Sequence, residues 1–138
     1  MSVLTQDFLA ALREKIAEFH DFTIREHGGL PIFRDKGFFE HAVARPWMTA
    51  FGEPAYETPF LKAAAIAEAI ARGHPFNDGN HRTALAAAHI VLGLFDLITL
   101  ATDSEMHNAI MKLGGGVLSL EDFSAWLERK CALRPRPN

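Results

Sequence analysis

Apolar residues at Phe8, Leu9, Leu12, Ile16 and Phe19 recur at three- and four-residue intervals with charged residues between them, the spacing of one helix face. Thr5 has the chemistry of the N-cap, and the helix is expected to reach about Glu26. Gly28-Gly29 then offers a stop able to take positive φ, and Pro31 bars resumption. A second helix is expected after Asp35, carrying Phe38, Phe39, Ala42 and Val43 and ended by Pro46. From Trp47 to Thr58 the helical period lapses around Gly52 and Pro54, which predicts a loop or short hairpin. Exposed function often resides in such segments.

Thr58 caps a third expected helix with Pro59 at its first position, running through Leu61, Ala65, Ile66, Ala69 and Ile70 until Gly73 stops it. A core helix follows from about Asn80 to Leu94. Its small residues Ala84, Ala86, Ala87 and Ala88 permit close neighbours, and apolar surface on several sides implies burial. Thr102 and Glu105 have capping-box spacing for another helix, ended by Gly114-Gly115-Gly116. Ser119 and Asp122 suggest a similar start for the last, with Leu120, Phe123, Trp126 and Leu127 facing inward; the tail Leu133 to Asn138, with Pro135 and Pro137, is expected to fray. The pattern therefore predicts an all-α bundle with one hairpin-like insertion. A buried central helix presents its N-terminus at one end.

Composition narrows this little. A chain of 138 residues is one domain, spanning 1–138, and 49% hydrophobic against 22% charged residues argues against disorder. The net charge of -3 gives no sign of a nucleic-acid-binding surface. Cys131 is the single cysteine, so no intrachain disulfide can form and a reducing, cytoplasmic home is expected. Met1 to Lys15 lacks a basic segment leading into an apolar one, and the longest apolar run, Ala84 to Phe95, is broken by His89 and too short to cross a bilayer.

The chemistry is concentrated just before the core helix, in His74-Pro75-Phe76-Asn77-Asp78-Gly79-Asn80-His81-Arg82. A helix N-terminus with free N–H groups and a positive dipole end favours anions. His74 can serve as a general base on a hydroxyl. Asp78 is a hard oxygen ligand suited to Mg²⁺, and Gly79 allows a tight turn and close approach of backbone to phosphate. Asn80 can orient the loop or donate to a phosphate oxygen, and Arg82 offers a planar fork of donors. Phe76 is expected to point inward and anchor the loop. Each residue taken singly is as well explained by capping or turning the chain; the set together describes metal-assisted phosphate transfer to a hydroxyl.

These residues also carry a family resemblance. His74 to Asn80 followed by Arg82 resembles the Fic motif, HPFx(D/E)GNxRxxR, and Ala71-Arg72-Gly73-His74 with Arg82-Thr83-Ala84-Leu85 is similar to the Doc branch. Gly28-Gly29-Leu30-Pro31 is similar to a Doc element at the end of the first helix, and helix order agrees from about His20 to Arg129. The resemblance implies a helical Fic/Doc fold that transfers part of a nucleotide, ATP, onto a protein hydroxyl. His74 would deprotonate the acceptor and Asp78 would hold Mg²⁺. Phe76, Asn77, Gly79, Asn80, His81 and Arg82, with Arg72 beside them, would contact the nucleotide phosphates. Trp47, Phe51 and Tyr56 would belong to a flap that lines up the target chain. The resemblance further implies a toxin acting on a Ser/Thr hydroxyl of a translation factor such as EF-Tu, restrained by a small antitoxin that folds on binding.

Two positions bear on which group is transferred. AMP-transferring Fic enzymes carry a second arginine where this chain has Leu85, and usually glycine where it has His81; Doc has lysine there. Transfer of the γ-phosphate is therefore expected ahead of AMP transfer. No (S/T)xxxE(G/N) segment, the inhibitory helix of many AMP-transferring members, is present. A competing class is suggested by His20-Asp21, the dipeptide of HD-type metal phosphohydrolases, and a third is a binding-only relative that keeps the fold. His27, His41, His89 and His107 are expected to make ordinary core or surface hydrogen bonds.

Overall fold

The computed structural model describes residues 3–137, with side chains described from Gln6 onward. Six helices carry the described residues: α1 Val3–His27, α2 Lys36–Ala44, α3 Pro59–Gly73, α4 Asn80–Gly93, α5 Asp103–Gly114 and α6 Leu120–Lys130. A 3-10 turn, Arg45–Trp47, continues α2. Two small antiparallel sheets complete the fold, β1 Thr49–Ala50 with β2 Glu53–Pro54, and β3 Leu97–Thr99 with β4 Cys131–Leu133. No described helix is long and apolar enough to cross a membrane.

The centre is the α3–α4 pair, the most extensive helix contact in the molecule. Alanine makes it possible: Ala63, Ala64, Ala65, Ala67 and Ala71 of α3 and Ala84, Ala87 and Ala88 of α4 are fully buried, and small side chains set a short distance between helix axes. Around the pair, α1 contributes Leu9, Leu12 and Ile16, α5 contributes Met106, Ile110 and Leu113, and α6 contributes Phe123 and Leu127. Helix α3 also packs against α2, the 3-10 turn, α5 and α6, whereas α4 meets α1, α5 and β3.

Helix starts follow the capping chemistry of the sequence. The side chains of Asp35, Thr58, Thr102 and Ser119 each accept an N–H from the first turn of α2, α3, α5 and α6, and Thr102 with Glu105 forms the full capping box. Such caps contribute about 1 kcal/mol each. Thr5, expected as the cap of α1, instead lies inside it, since the helix starts at Val3; its side chain is outside the described residues. The α4 helix is buried along most of its length, as expected, with one side open. Arg82 is exposed and Leu85, His89 and Ile90 are half-buried, lining clefts against α1.

The second sheet was absent from the sequence pattern. Leu133, expected to fray, pairs with Leu97, and Arg134 N–H donates to Asp96 C=O at 2.7 Å. Strands of three residues are too short to reveal alternation. Gly73 also does other work than a helix stop. It is the last residue of α3, and the left-handed conformation falls on His74 (φ 51, ψ 60). A Cβ at position 73 would lie 2.1 Å from the Phe38 ring, so a side chain there would have to displace that ring.

Gly73→Ala should therefore destabilise the fold by about 1–3 kcal/mol through overpacking, outweighing the gain of roughly 1 kcal/mol that alanine ordinarily brings to a helix interior. Urea unfolding monitored by circular dichroism would register a lower midpoint at unchanged slope. A midpoint at or above that of the wild type would refute the clash.

Candidate functional site

The polar loop between α3 and α4 is shaped by one buried aromatic residue. Phe76 is 2% exposed. Its ring stacks on His20 with centroids 3.6 Å apart and planes 11° from parallel, and it meets Phe33 and Phe39 at 5.0 and 5.1 Å. Asn80 closes the loop above it. Its Oδ1 accepts Phe76 N–H at 3.0 Å and its Nδ2 donates to Phe76 C=O at 2.9 Å. Leaving such buried backbone groups unpaired costs about 1–3 kcal/mol each, so the pair of bonds strongly favours this one loop shape.

A second set of bonds comes from the strap that follows α1. Gly28 and Gly29 turn the chain with φ of 85 and 115. Asn77 N–H donates to Ile32 C=O at 3.1 Å, and Arg34 and Asp35 N–H both donate to Pro75 C=O. Leu30 N–H donates to Asp78 Oδ2 at 2.9 Å. Gly29 must lack a side chain here, because a Cβ would stand 2.8 Å from that of Asp78. From beneath, His20 Nε2 donates to Asp78 C=O at 2.8 Å.

What the loop leaves outward is a ring of reactive groups. His74, Asp78 and Arg82 are exposed and His81 is half-buried. The His74 and His81 rings meet edge to face, with centroids 5.8 Å apart. The N-cap of α4 is Gly79, at φ 78, and it supplies no side-chain cap, unlike the side-chain-capped starts of α2, α3, α5 and α6. The N–H groups of the first α4 turn therefore face outward without an intrahelical acceptor, an arrangement suited to an anion. Burial lowers the pKa of His81, and the neighbouring His74 and His107 lower it further. At neutral pH its imidazole is uncharged.

Not every residue marked in the sequence stands in that ring. The Asn80 Oδ1 and one Nδ2 hydrogen are used on Phe76, and the Phe76 and Asn77 backbone N–H groups are used within the loop and strap, so in this conformation those groups shape the backbone. The Arg72 guanidinium turns back along α3, 3.8 Å from Glu68 Oε2, and covers Gly116. In the segment expected as a flap, Trp47 packs on Phe8 and the Tyr56 hydroxyl accepts from Arg45 Nε at 2.9 Å. Phe51 alone of the three is free, wholly exposed at the hairpin tip. His20, weighed as a metal ligand, is instead buried beneath the loop, and no three His, Cys, Asp or Glu side chains gather to hold a metal among the described residues.

His107, expected only to make ordinary hydrogen bonds, lowers the pKa of His81 electrostatically, and Arg34, which no sequence pattern marked, bonds to the carbonyls of Gly73 and His74. Neither has a local signal, because each reaches the loop from a separate element. The depressed pKa of His81 has a thermodynamic consequence. Below its ordinary value of 6.5 the unfolded chain takes up a proton that the folded chain resists, so stability is fully present above that pH and is lost as pH falls through the folded value. The melting temperature should hold steady from about pH 8 to 7 and decline below about 6.5, with a shallower decline in His81→Gln. Equal slopes for the two proteins would show that His81 is not the group responsible.

Comparison with known proteins agrees with this geometry. The sequence model of the Fic/DOC family matches residues 10–92, which run from within α1 into the last turn of α4 and hold the whole polar loop. The chain is similar to Toxin Doc of Mycolicibacterium smegmatis, 43% identical over 82 residues covering 59% of this chain and 62% of the relative. It is also similar to Protein kinase doc of Escherichia phage P1, 38% identical over 79 residues covering 57% and 62% respectively. The matched segments span 62% of the length of either curated relative. With the family matched across more than half of its length and the loop intact, this chain belongs to the Fic/DOC family.

Proposed function

We propose that this protein is a Doc-like toxin that transfers the γ-phosphate of ATP to a Ser/Thr hydroxyl of a protein, with a translation factor such as EF-Tu as target and a small antitoxin as its restraint. The observation that carries the reading is the juxtaposition of an exposed His74, held in a left-handed turn, with the uncapped N-terminus of α4. A general base and an anion site thus share one rim. The similarity to a relative named as a protein kinase favours phosphate as the group moved.

In this mechanism His74 takes the proton from the acceptor hydroxyl as its oxygen attacks the γ-phosphorus. The bond from that phosphorus to the bridging oxygen breaks, and ADP leaves with the negative charge. The first-turn N–H groups of α4 and the Arg82 fork oppose the charge on the phosphates. Neutral His81 can donate one N–H to a phosphate oxygen. Asp78 fits a magnesium ion. Its carboxylate is fixed through Oδ2 by Leu30 N–H yet lies on the exposed rim, and Mg²⁺ commonly takes one carboxylate and fills its shell with phosphate and water. When bound, the ion would neutralise phosphate charge.

Phosphate transfer is favoured over AMP transfer by Leu85, which stands where AMP-transferring members have arginine. Its side chain lies in an apolar cleft with Phe19, Ala86 and Ile90 and offers no charge to an α-phosphate. The HD-type reading loses support because His20 Nε2 is committed to the loop backbone.

Incubation with EF-Tu and ATP labelled at either the α or the γ position should give γ label on the acceptor and none with His74→Ala. Appearance of α label would sink the kinase reading in favour of nucleotidyl transfer. In cells, expression of the wild-type chain alone should arrest growth and His74→Ala should relieve the arrest. Normal growth with wild-type protein present in soluble form would count against a toxin.

A further inference from the structure

No motif marks Arg34. It lies in the strap between α1 and α2, 40 positions before His74 in sequence. Yet its donors go to three successive peptide carbonyls. One terminal guanidinium N–H donates to Gly73 C=O, Nε–H donates to His74 C=O at 2.7 Å, and the backbone N–H donates to Pro75 C=O at 2.8 Å. Those carbonyls belong to the end of α3 and the turn that leaves it. A cation there complements the negative end of the helix dipole. The planar fork adds what a point charge cannot, a fixed relation between two adjacent peptide planes.

The residue those planes turn is His74. Its left-handed conformation costs a non-glycine residue about 1–3 kcal/mol, and it persists only where neighbours impose it. On the α3 side His74 N–H is tied to Ile70 C=O at 3.1 Å. On the far side Arg34 supplies the side-chain ties, to Gly73 and His74 C=O, while its backbone N–H and that of Asp35 share Pro75 C=O. Any relaxation of the turn would swing the imidazole relative to the α4 N-terminus.

We propose that Arg34 is a positioning residue for His74: its guanidinium locks the Gly73-His74-Pro75 turn and so presents the imidazole to the acceptor hydroxyl. The role rests on the transfer reaction proposed above. Arg34 itself touches no reacting group and acts through His74. Because its side chain is exposed and bonds to neutral carbonyls, its removal should change the geometry of the turn more than the stability of the fold. The backbone N–H to Pro75 survives any substitution except proline, so the strap stays paired.

The test uses the full chain as wild type, Arg34→Met and Arg34→Lys, with two independent measurements. The first is steady-state transfer from γ-labelled ATP to EF-Tu. For Arg34→Met, kcat should fall about 10- to 100-fold with KM for ATP changed by less than about twofold. Arg34→Lys should recover part of the loss, since an ammonium reaches one carbonyl at a time. The second is amide hydrogen exchange at His74 in the unliganded protein, followed by NMR. Exchange should be at least about tenfold faster in Arg34→Met, while the melting temperature stays within about 3 °C of wild type.

Wild-type kcat in Arg34→Met, a rise in KM alone, or a kcat loss matched by loss of folded protein would each overturn the positioning role. If the wild-type chain itself transfers nothing, the proposed reaction fails. The exchange measurement then decides alone, and unchanged His74 exchange in Arg34→Met overturns the inference.

Discussion

The seating of Phe76 between His20 and the Phe33–Phe39 pair is the contact on which the site depends. A run of polar residues between two helices has no reason to hold one shape in water. Burying one aromatic ring at its centre gives it one, because the ring brings its own backbone N–H and C=O into a region where both need partners. Asn80 supplies both from a single amide. The loop is thereby drawn tight around the start of α4, and Gly79 is left to make a turn that no other residue type takes cheaply.

The site divides into a scaffold and a working rim. His20, Asn80, Phe76 and the strap carbonyl of Ile32 use up the inward-facing hydrogen-bonding groups. His74, Asp78, Arg82 and the open first turn of α4 remain on the outside, where they can meet a phosphate, a metal ion and a hydroxyl. The division also sorts the histidines. His20 is a buried brace, His81 is kept neutral by burial and by its two histidine neighbours, and His74 stands exposed in a strained turn. One residue type thus serves three purposes through environment alone.

The hairpin segment after α2 follows a similar rule. Its β1–β2 hairpin turns through Phe51 and Gly52, both at positive φ. Its stem is fastened where the Tyr56 hydroxyl meets Arg45 and the Tyr56 carbonyl accepts from Lys62. Arg45 continues to Ala65 C=O and Glu68, so the stem is anchored on α3, the helix that ends at His74. The tip is therefore free while its base is registered to the site.

Much of this was legible in the chain itself. Helix starts at Asp35, Thr58, Thr102 and Ser119 could be read because capping is local chemistry between a side chain and a backbone N–H three residues on. The core helix was legible from its alanines, and the polar loop from the density of chemically distinct groups within a few residues. Other features are products of tertiary contact between distant segments. The strand Cys131–Leu133 forms only because Leu97–Thr99 lies beside it, a side chain at Gly73 would meet a ring from α2, and Asn80 serves the loop because Phe76 is buried. The sequence by itself determined which chemical groups are present and which helix they precede, since those are properties of neighbours along the chain. Which groups face solvent, and which are consumed in holding the rest, only the tertiary structure decided, because burial and hydrogen-bond partnership depend on residues that come together when the chain folds.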